Sequence, residues 1–455
     1  MSFETSTARL AIATALVWLQ VAALAPTYAQ EDSPEPSSGQ GETPPQDPST
    51  AATTSDDADG RSGYSAGAPP LEGGDSVVND LYEDDINVGS VFKIKALDGV
   101  LNPWWNAKKE VKDKVGLKLQ VSYQSLREWT DQDEGETYAA AGRFEFQGSW
   151  TVLGRKTKHP SVITFGMDYR DTLGTDIPPS QLGGQFGSAG LVGTGFSAYD
   201  FQFRELAWRQ TMYGGRWKFG GGKISAVSWY NGYALSSPKR GFQNSALLAS
   251  NTRPFPGRGF GAVTGNRIGQ KWAIVAGVHD ANAQSANNPF ETIDQWEFFY
   301  SAEFRFFPTT YDRHKWDQVR LQLWYQDERE EAGIPQAQGA TFVVSRLFQD
   351  RFMPFLYGGK SDGNASQMKT DLGGGIGIGF KTRHRAAQDV LGIGVSWGDP
   401  SNPYNNEQVT SEIFYRFQLL QNIAFTPSAQ YIHDPLTGEP GEDVWVFGFR
   451  WRMTF

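Results

Sequence analysis

The sequence predicts an all-β fold: a 16-stranded antiparallel transmembrane β-barrel with a short N-terminal helix. Three observations predict it. Apolar and polar residues alternate with a period of two in about sixteen stretches after residue 116. Each stretch is roughly the 9–11 residues that a tilted strand needs to cross a bilayer. Connections alternate between short ("LGRKTKHP", "MYGG", "NRIGQ", "LLQN") and long (171–200, 230–257, 280–293), the up-and-down pattern of an outer-membrane barrel.

Composition agrees. The 455 residues are 14% aromatic, with 15 Trp, 30 Phe and 51 Gly, and the mean hydropathy is −0.47. Past the N-terminus there is no apolar run long enough for a membrane-spanning helix. The absence of cysteine excludes thiol catalysis, disulfides and cysteine metal sites. A net charge of −10 argues against nucleic acid as a partner.

The chain divides into four parts. Residues 1–29 read as a signal peptide: Arg9, the apolar run Leu10–Ala25, and a small-residue cleavage site ending at Ala29. Residues 30–85, acidic and rich in Pro, Ser and Gly, have little to bury and are expected to be disordered. Residues 90–115 hold an amphipathic helix. Asn102 is its cap, Pro103 its first residue and Gly116 its stop, with Trp104, Ala107, Val111 and Val115 on one side. Residues 116–455 form the barrel.

Charge decides which face of each strand meets lipid. Arg or Lys facing mid-bilayer costs about 2–4 kcal/mol. In "RFEFQGSWTVL" the aromatics Phe144, Phe146 and Trp150 alternate with Arg143, Glu145 and Gln147, so the aromatics face lipid and the charges face the lumen. "VITFGMDYR", "EFFYSAEFRFF" and "VRLQLWYQ" read the same way. The candidate lumen residues are Arg143, Glu145, Asp168, Arg170, Arg204, Glu205, Arg209, Glu303, Arg305, Arg320, Trp324, Glu412 and Arg416. A soluble sandwich would have no use for so many inward charges, whereas a water-filled lumen would. Mixed guanidinium and carboxylate groups can donate to and accept from sugar hydroxyls. Phe201, Phe203, Phe299 and Trp324 break the outward rule for aromatics. They either form a sugar-stacking strip inside, or a bulge returns them to lipid.

No catalytic motif and no histidine pair at ligand spacing appears, so no enzyme, cofactor or metal is expected. His159, His314, His384 and His433 fall in turns or loops and read as solvated. The chain ends "VWVFGFRWRMTF", a lipid-facing aromatic row that runs to Phe455.

Five stretches resemble the carbohydrate-selective porin family, OprB type. They are "FQNSALLASNTRPFPGRGFGAV" (242–263), "WAIVAGVHDANAQ" (272–284), "FLYGGKSDG" (355–363), "DVLGIGVSW" (389–397) and "EIFYRFQLLQNIAFTPSAQYIHDP" (412–435), in the family's order. The family's usual N-terminal Trp-Gly-Gly-x-Arg neighbourhood is replaced by "LNPWWNAKKEV". The resemblance implies a 16-stranded outer-membrane barrel that passes glucose and other small sugars by passive diffusion. Glu412 and Gln430 are the matched polar positions, read as structural or lumen-lining.

The expectation is therefore an outer-membrane sugar porin with both chain ends in the periplasm and loops 171–200 and 230–257 folded inward. Its partners are small sugars, outer-membrane lipid and the barrel-assembly machinery, which would read the strand ending at Phe455. Monomer and homotrimer both stay open. The alternatives are a general or anion-preferring porin, a barrel enzyme, or an adhesion protein.

Overall fold

The computed structural model describes residues 70–86, 95–230, 232–286, 288–379, 389–420 and 422–455. The signal peptide, most of the acidic segment and His384 lie outside the described residues. Sixteen strands close into one antiparallel barrel in simple chain order, β1 (Leu117–Thr130) through β16 (Asp443–Thr454). They follow the sequence alternation closely, and β5 (Trp217–Ile224) is the shortest of them.

Closure is what the bilayer demands, because hydrocarbon offers no partner to a backbone N–H or C=O. The seam pairs β1 with β16 from Ser122↔Thr454 to Thr130↔Val446. The terminal residue completes it: Phe455 N–H donates to Val121 O at 2.7 Å, and Val121 N–H donates to Phe455 O at 3.0 Å. No described helix is long and apolar enough to cross a membrane.

The faces separate as the arginines require. Trp445, Phe447 and Phe449 are exposed on the outer surface, while Val444, Val446 and Arg450 are buried inside. In β2 (Tyr138–Leu153), Phe144 and Trp150 face out and Arg143 and Glu145 face in.

The strand Tyr199–Met212 departs from simple alternation. Between β3 (Ser161–Thr172) and β4 (Tyr199–Met212), Gly166 pairs with Glu205 and Met167 with Phe203, leaving Arg204 as an extra residue. This bulge turns both Arg204 and Glu205 inward and reverses the parity before them. Phe201 and Phe203 are consequently 58% and 52% exposed on the outer face and belong to no inner strip.

Helix α1 (Val77–Ile86) and the coil before it lie inside the barrel. The expectation that residues 30–85 are disordered is corrected from residue 70 onward. Ser76 caps α1, its Oγ accepting from Asn79 N–H at 3.0 Å, and Leu71, Val77, Leu81 and Tyr82 are buried. Helix α2 (Lys95–Val115) begins before the expected Asn102 cap, which places Pro103 inside it. A proline there costs one helical hydrogen bond. Gly116, at φ +78°, stops α2 and turns the chain into β1. The expected apolar stripe of α2 (Trp104, Ala107, Val111, Val115) is solvent-exposed, while Trp105 is buried beneath Lys108.

The two longest loops fold inward. Residues 173–198 include helix α3 (Pro179–Gln185), and pack Leu182, Phe186 and Val192 on Ala139, Ile432, Val444 and Val446. Residues 225–258 pack Tyr233, Leu235, Phe242 and Leu247 on Val343, Phe355, Tyr357 and Phe414. Part of the inner wall is therefore apolar, and loops cover it.

Leu321, near the middle of β9 (Gln318–Gln326), faces outward. Leu321→Arg should destabilise the lipid-embedded barrel by about 2–4 kcal/mol, read as a lowered urea midpoint after refolding into vesicles.

Candidate functional site: a charged lumen filled from within

The lumen charges gather into three groups, according to which strands carry them. The first lies on β2, β3 and β4. Glu145 accepts from Arg143 Nη2 at 2.6 Å, pairs with Lys239 Nζ at 2.8 Å, and also binds Arg204. Asp168 pairs with Arg170 Nη2 at 2.8 Å and Arg143 Nη2 at 3.4 Å, and accepts from Tyr199 OH at 3.0 Å. Arg209 Nη2 donates to Glu205 at 2.8 Å.

The second group lies on β8 (Phe298–Phe306) and β9. Arg305 Nε donates to Glu303 at 2.6 Å, and Arg320 Nη1 reaches the same carboxylate at 3.3 Å. Arg305 also donates to two backbone carbonyls, Leu71 O and Trp229 O, both at 2.5 Å. One guanidinium thus holds the N-terminal segment and the 225–258 loop together.

The third group lies on β14 (Gln408–Leu420). Both oxygens of Glu412 accept from Gln243 N–H, at 2.8 and 3.0 Å, and one accepts from Asn244 N–H at 2.8 Å. Arg416 Nη1 donates to Arg240 O at 3.1 Å. Gln430 accepts from Asn244 Nδ2 at 2.8 Å. These matched positions fasten the 225–258 loop to the wall.

The candidate residues therefore point inward, but not into open water. Arg143 is 1% exposed, and Glu303 and Arg305 are fully buried. The expectation of a bare water-lined face is corrected: the chain's own segments cover the charges and supply their partners. A charge removed from water needs such partners, because leaving one unpaired is strongly unfavourable.

Trp324 points inward and is buried against other side chains. It stacks on Phe299 at 6.0 Å between ring centroids, among Ala281 and Ala337. Phe255 of the loop meets Phe299 at 5.4 Å, with the Arg253 guanidinium over the Phe255 ring at 4.4 Å.

Residues absent from the sequence prediction complete the site. Asp75 receives Arg258 Nη2 at 2.7 Å, Lys239 Nζ at 2.8 Å, Arg204 Nη1 at 3.3 Å and Arg143 Nη2 at 3.5 Å. Burial alone would raise the Asp75 carboxyl, but Arg204, Lys239, Arg143 and Arg258 outweigh it and hold it well below the ordinary carboxylate range. Asp80 accepts from Arg240 Nη1 at 2.7 Å, pairs with Lys239, and accepts from Gln147 Nε2 at 3.3 Å. Glu72 pairs with Arg209. The sequence carries a faint signal for this segment: the Ser76 cap followed by Val77 and Leu81 at helical spacing.

At the short-turn end, a cavity of about 840 Å³ opens between the segment, α2 and the wall. Its lining includes Lys112, Lys114, Lys118, Arg155, Lys156 and Lys218.

His314 is buried, contrary to the expectation of a solvated ring. Nδ1 donates to Tyr311 O at 2.9 Å and the ring stacks on Tyr311 at 4.8 Å, beside the pocket that seats Leu71. Burial first, then Lys315, Arg320 and Arg305, push its pKa well below 6.5. A histidine held neutral in the fold contributes its full stability above the unfolded value near 6.5 and loses it as pH falls below that. Thermal stability should therefore drop between pH 7 and 5, and His314→Phe should flatten the drop, as read by melting curves in detergent.

Three comparisons bear on this barrel. Residues 309–455 match the family model described as carbohydrate-selective porin, OprB family. The match spans β9 to β16 and includes the last three of the five stretches quoted above. The chain thus carries the OprB signature in its C-terminal third. Among solved structures, the high-pH structure of Pseudomonas putida OprB aligns with 77% of this chain and 97% of its own, at 14% identity and a TM-score of 0.62, which shows a shared fold. The low-pH structure of the same protein gives 12% identity over 77% and 96%, with a TM-score of 0.48. A triple mutant of Rhodopseudomonas blastica porin gives 10% identity over 74% and 100%, also with a TM-score of 0.48. No curated protein matches this chain.

Proposed function

We propose that this chain is an outer-membrane porin of the OprB kind, which lets small sugars such as glucose diffuse into the periplasm. The observation that carries the reading is the combination of the OprB signature over 309–455 with a closed 16-stranded barrel, apolar outside and lined inside by paired guanidinium and carboxylate groups. Fold and family both point to a channel and not to catalysis.

The lumen groups suit polyhydroxylated solutes. Guanidinium forks donate and carboxylates accept, which matches the mixed character of a sugar hydroxyl. Arg143, Glu145, Asp168, Arg170, Arg204, Glu205 and Arg209 lie on one arc of the inner wall, on β2, β3 and β4, where Glu72 and Asp75 of the N-terminal segment cover them. Glu303, Arg305 and Arg320 lie on a second arc, on β8 and β9, behind Leu71 and the 225–258 loop. Glu412 and Arg416 position the loop between them. Trp324 supports that loop from behind and does not stack on sugar. The short turns and both ends of the strand series share one rim, which supports a periplasmic placement of the termini. The Phe455 seam is the element that the assembly machinery and the surrounding lipid would meet. Monomer and homotrimer are both compatible with this surface.

Liposome swelling with purified protein tests the reading. Glucose should enter faster than an amino acid of similar size, and Arg143→Ala should change the glucose rate. Equal rates for both solutes would indicate a general diffusion porin instead. No swelling in any solute would remove the porin reading.

A further inference from the structure

We propose that residues 70–86 are a displaceable plug whose Asp75 occupies a carboxylate-binding site in the pore, and that sugars bearing a carboxylate compete for that site. The proposal rests on the porin reading.

The segment lies within the bore and touches strands from β2 to β8. At its start Leu71 sits among Ala273, Phe307 and Tyr311, its carbonyl accepts from Arg305 of β8, and the neighbouring Glu72 pairs with Arg209 of β4. Further along, Val77 faces Gly166 of β3 and Asp80 accepts from Gln147 of β2. Lys315, in the turn between β8 and β9, binds Asn79 and pairs with Glu83 at 2.7 Å. A solute moving along the bore meets this segment.

The wall is shaped to receive it. Gly166 of β3 and Gly265 of β6 (Gly259–Ile268) face the segment without side chains. A Cβ at Gly166 would lie 3.1 Å from Val77 Cγ2, and a Cβ at Gly265 would lie 2.7 Å from Leu71 Cδ1. Any larger residue at either position would contest the seat.

The charges show what the seat binds. Arg143, Arg170, Arg204, Lys239, Arg240 and Arg258 cluster there, against the wall carboxylates Glu145 and Asp168. Asp75 and Asp80 of the segment bring the carboxylates to four. With the segment out, the excess of cations grows, and four of them remain aimed at the vacated Asp75 position. A sugar acid presents the same carboxylate beside hydroxyls that glutamine and guanidinium groups can bind. Exchange is feasible because burying an ion pair gains little net free energy once desolvation is counted. One carboxylate can therefore replace another.

The test uses the full-length protein in planar bilayers and liposomes, with glucose and glucuronate as solutes. Gly166→Leu/Gly265→Leu ejects the segment by overlap without altering charge. Asp75→Asn/Asp80→Asn weakens its hold while nearly preserving shape. Both variants should raise ion conductance several-fold, and both should raise the ratio of glucuronate to glucose flux. A synthetic peptide of residues 70–86 added to the glycine variant should return conductance toward the wild-type value. Wild-type conductance and an unchanged flux ratio in both variants would overturn the proposal, while glucose flux through the wild type would leave the porin reading standing. Loss of all flux in the wild type would remove both.

Discussion

Arg143, Arg204, Lys239 and Arg258 converge on the carboxylate of Asp75, and the rest of the interior is arranged to keep such charges paired. A membrane barrel must turn its ionisable side chains inward, because lipid will not accept them. Inside, each charge needs water or an opposite charge. This chain largely supplies the opposite charge. Its wall carries carboxylates next to arginines, its N-terminal segment adds Glu72, Asp75 and Asp80, and its 225–258 loop adds Lys239, Arg240 and Arg258. Removing one member would strand its partners in a low-dielectric interior, so the network holds its parts in place together.

The same constraint links the two surfaces of the barrel. The bulge at Arg204 places two consecutive charged residues in the lumen and, by the same shift, puts Phe201 and Phe203 on the outer face. One extra residue thus serves both sides. The loops follow a related logic. Glu412 and Arg416 bind backbone groups of the 225–258 loop, and Arg450 donates to Gly241 O at 2.9 Å and Gln243 Oε1 at 2.7 Å. Aromatic packing of Phe242 on Phe414 and Phe355 supplies the apolar half of that attachment.

The barrel was legible because a strand's period is two and because arginine fixes which face meets lipid. That reasoning located all sixteen strands and the inward direction of Arg143, Asp168, Glu303 and Arg305. It could not decide Phe201 and Phe203, because a bulge changes parity without marking the sequence. It placed Trp324 inward but could not see Phe255, more than sixty positions away, arriving to cover the Phe299 beneath it. Asp75 and Asp80 were missed for a different reason. In an acidic, Pro- and Gly-rich stretch they read as solvated charge, and their partners lie on strands and loops far along the chain. His314 was misread for the same reason: its position in a turn says nothing of the Tyr311 and Phe307 rings that enclose it.

On the proposed porin reading, passage through this barrel depends on an interior in which fixed and docked charges balance, and the docked part is the segment around Asp75. Amide hydrogen exchange on the lipid-reconstituted protein tests this most directly. Residues 77–83 should exchange much more slowly than in a free peptide of the same sequence. Exchange at the free-peptide rate would contradict the account, because the segment would then not be seated in the lumen.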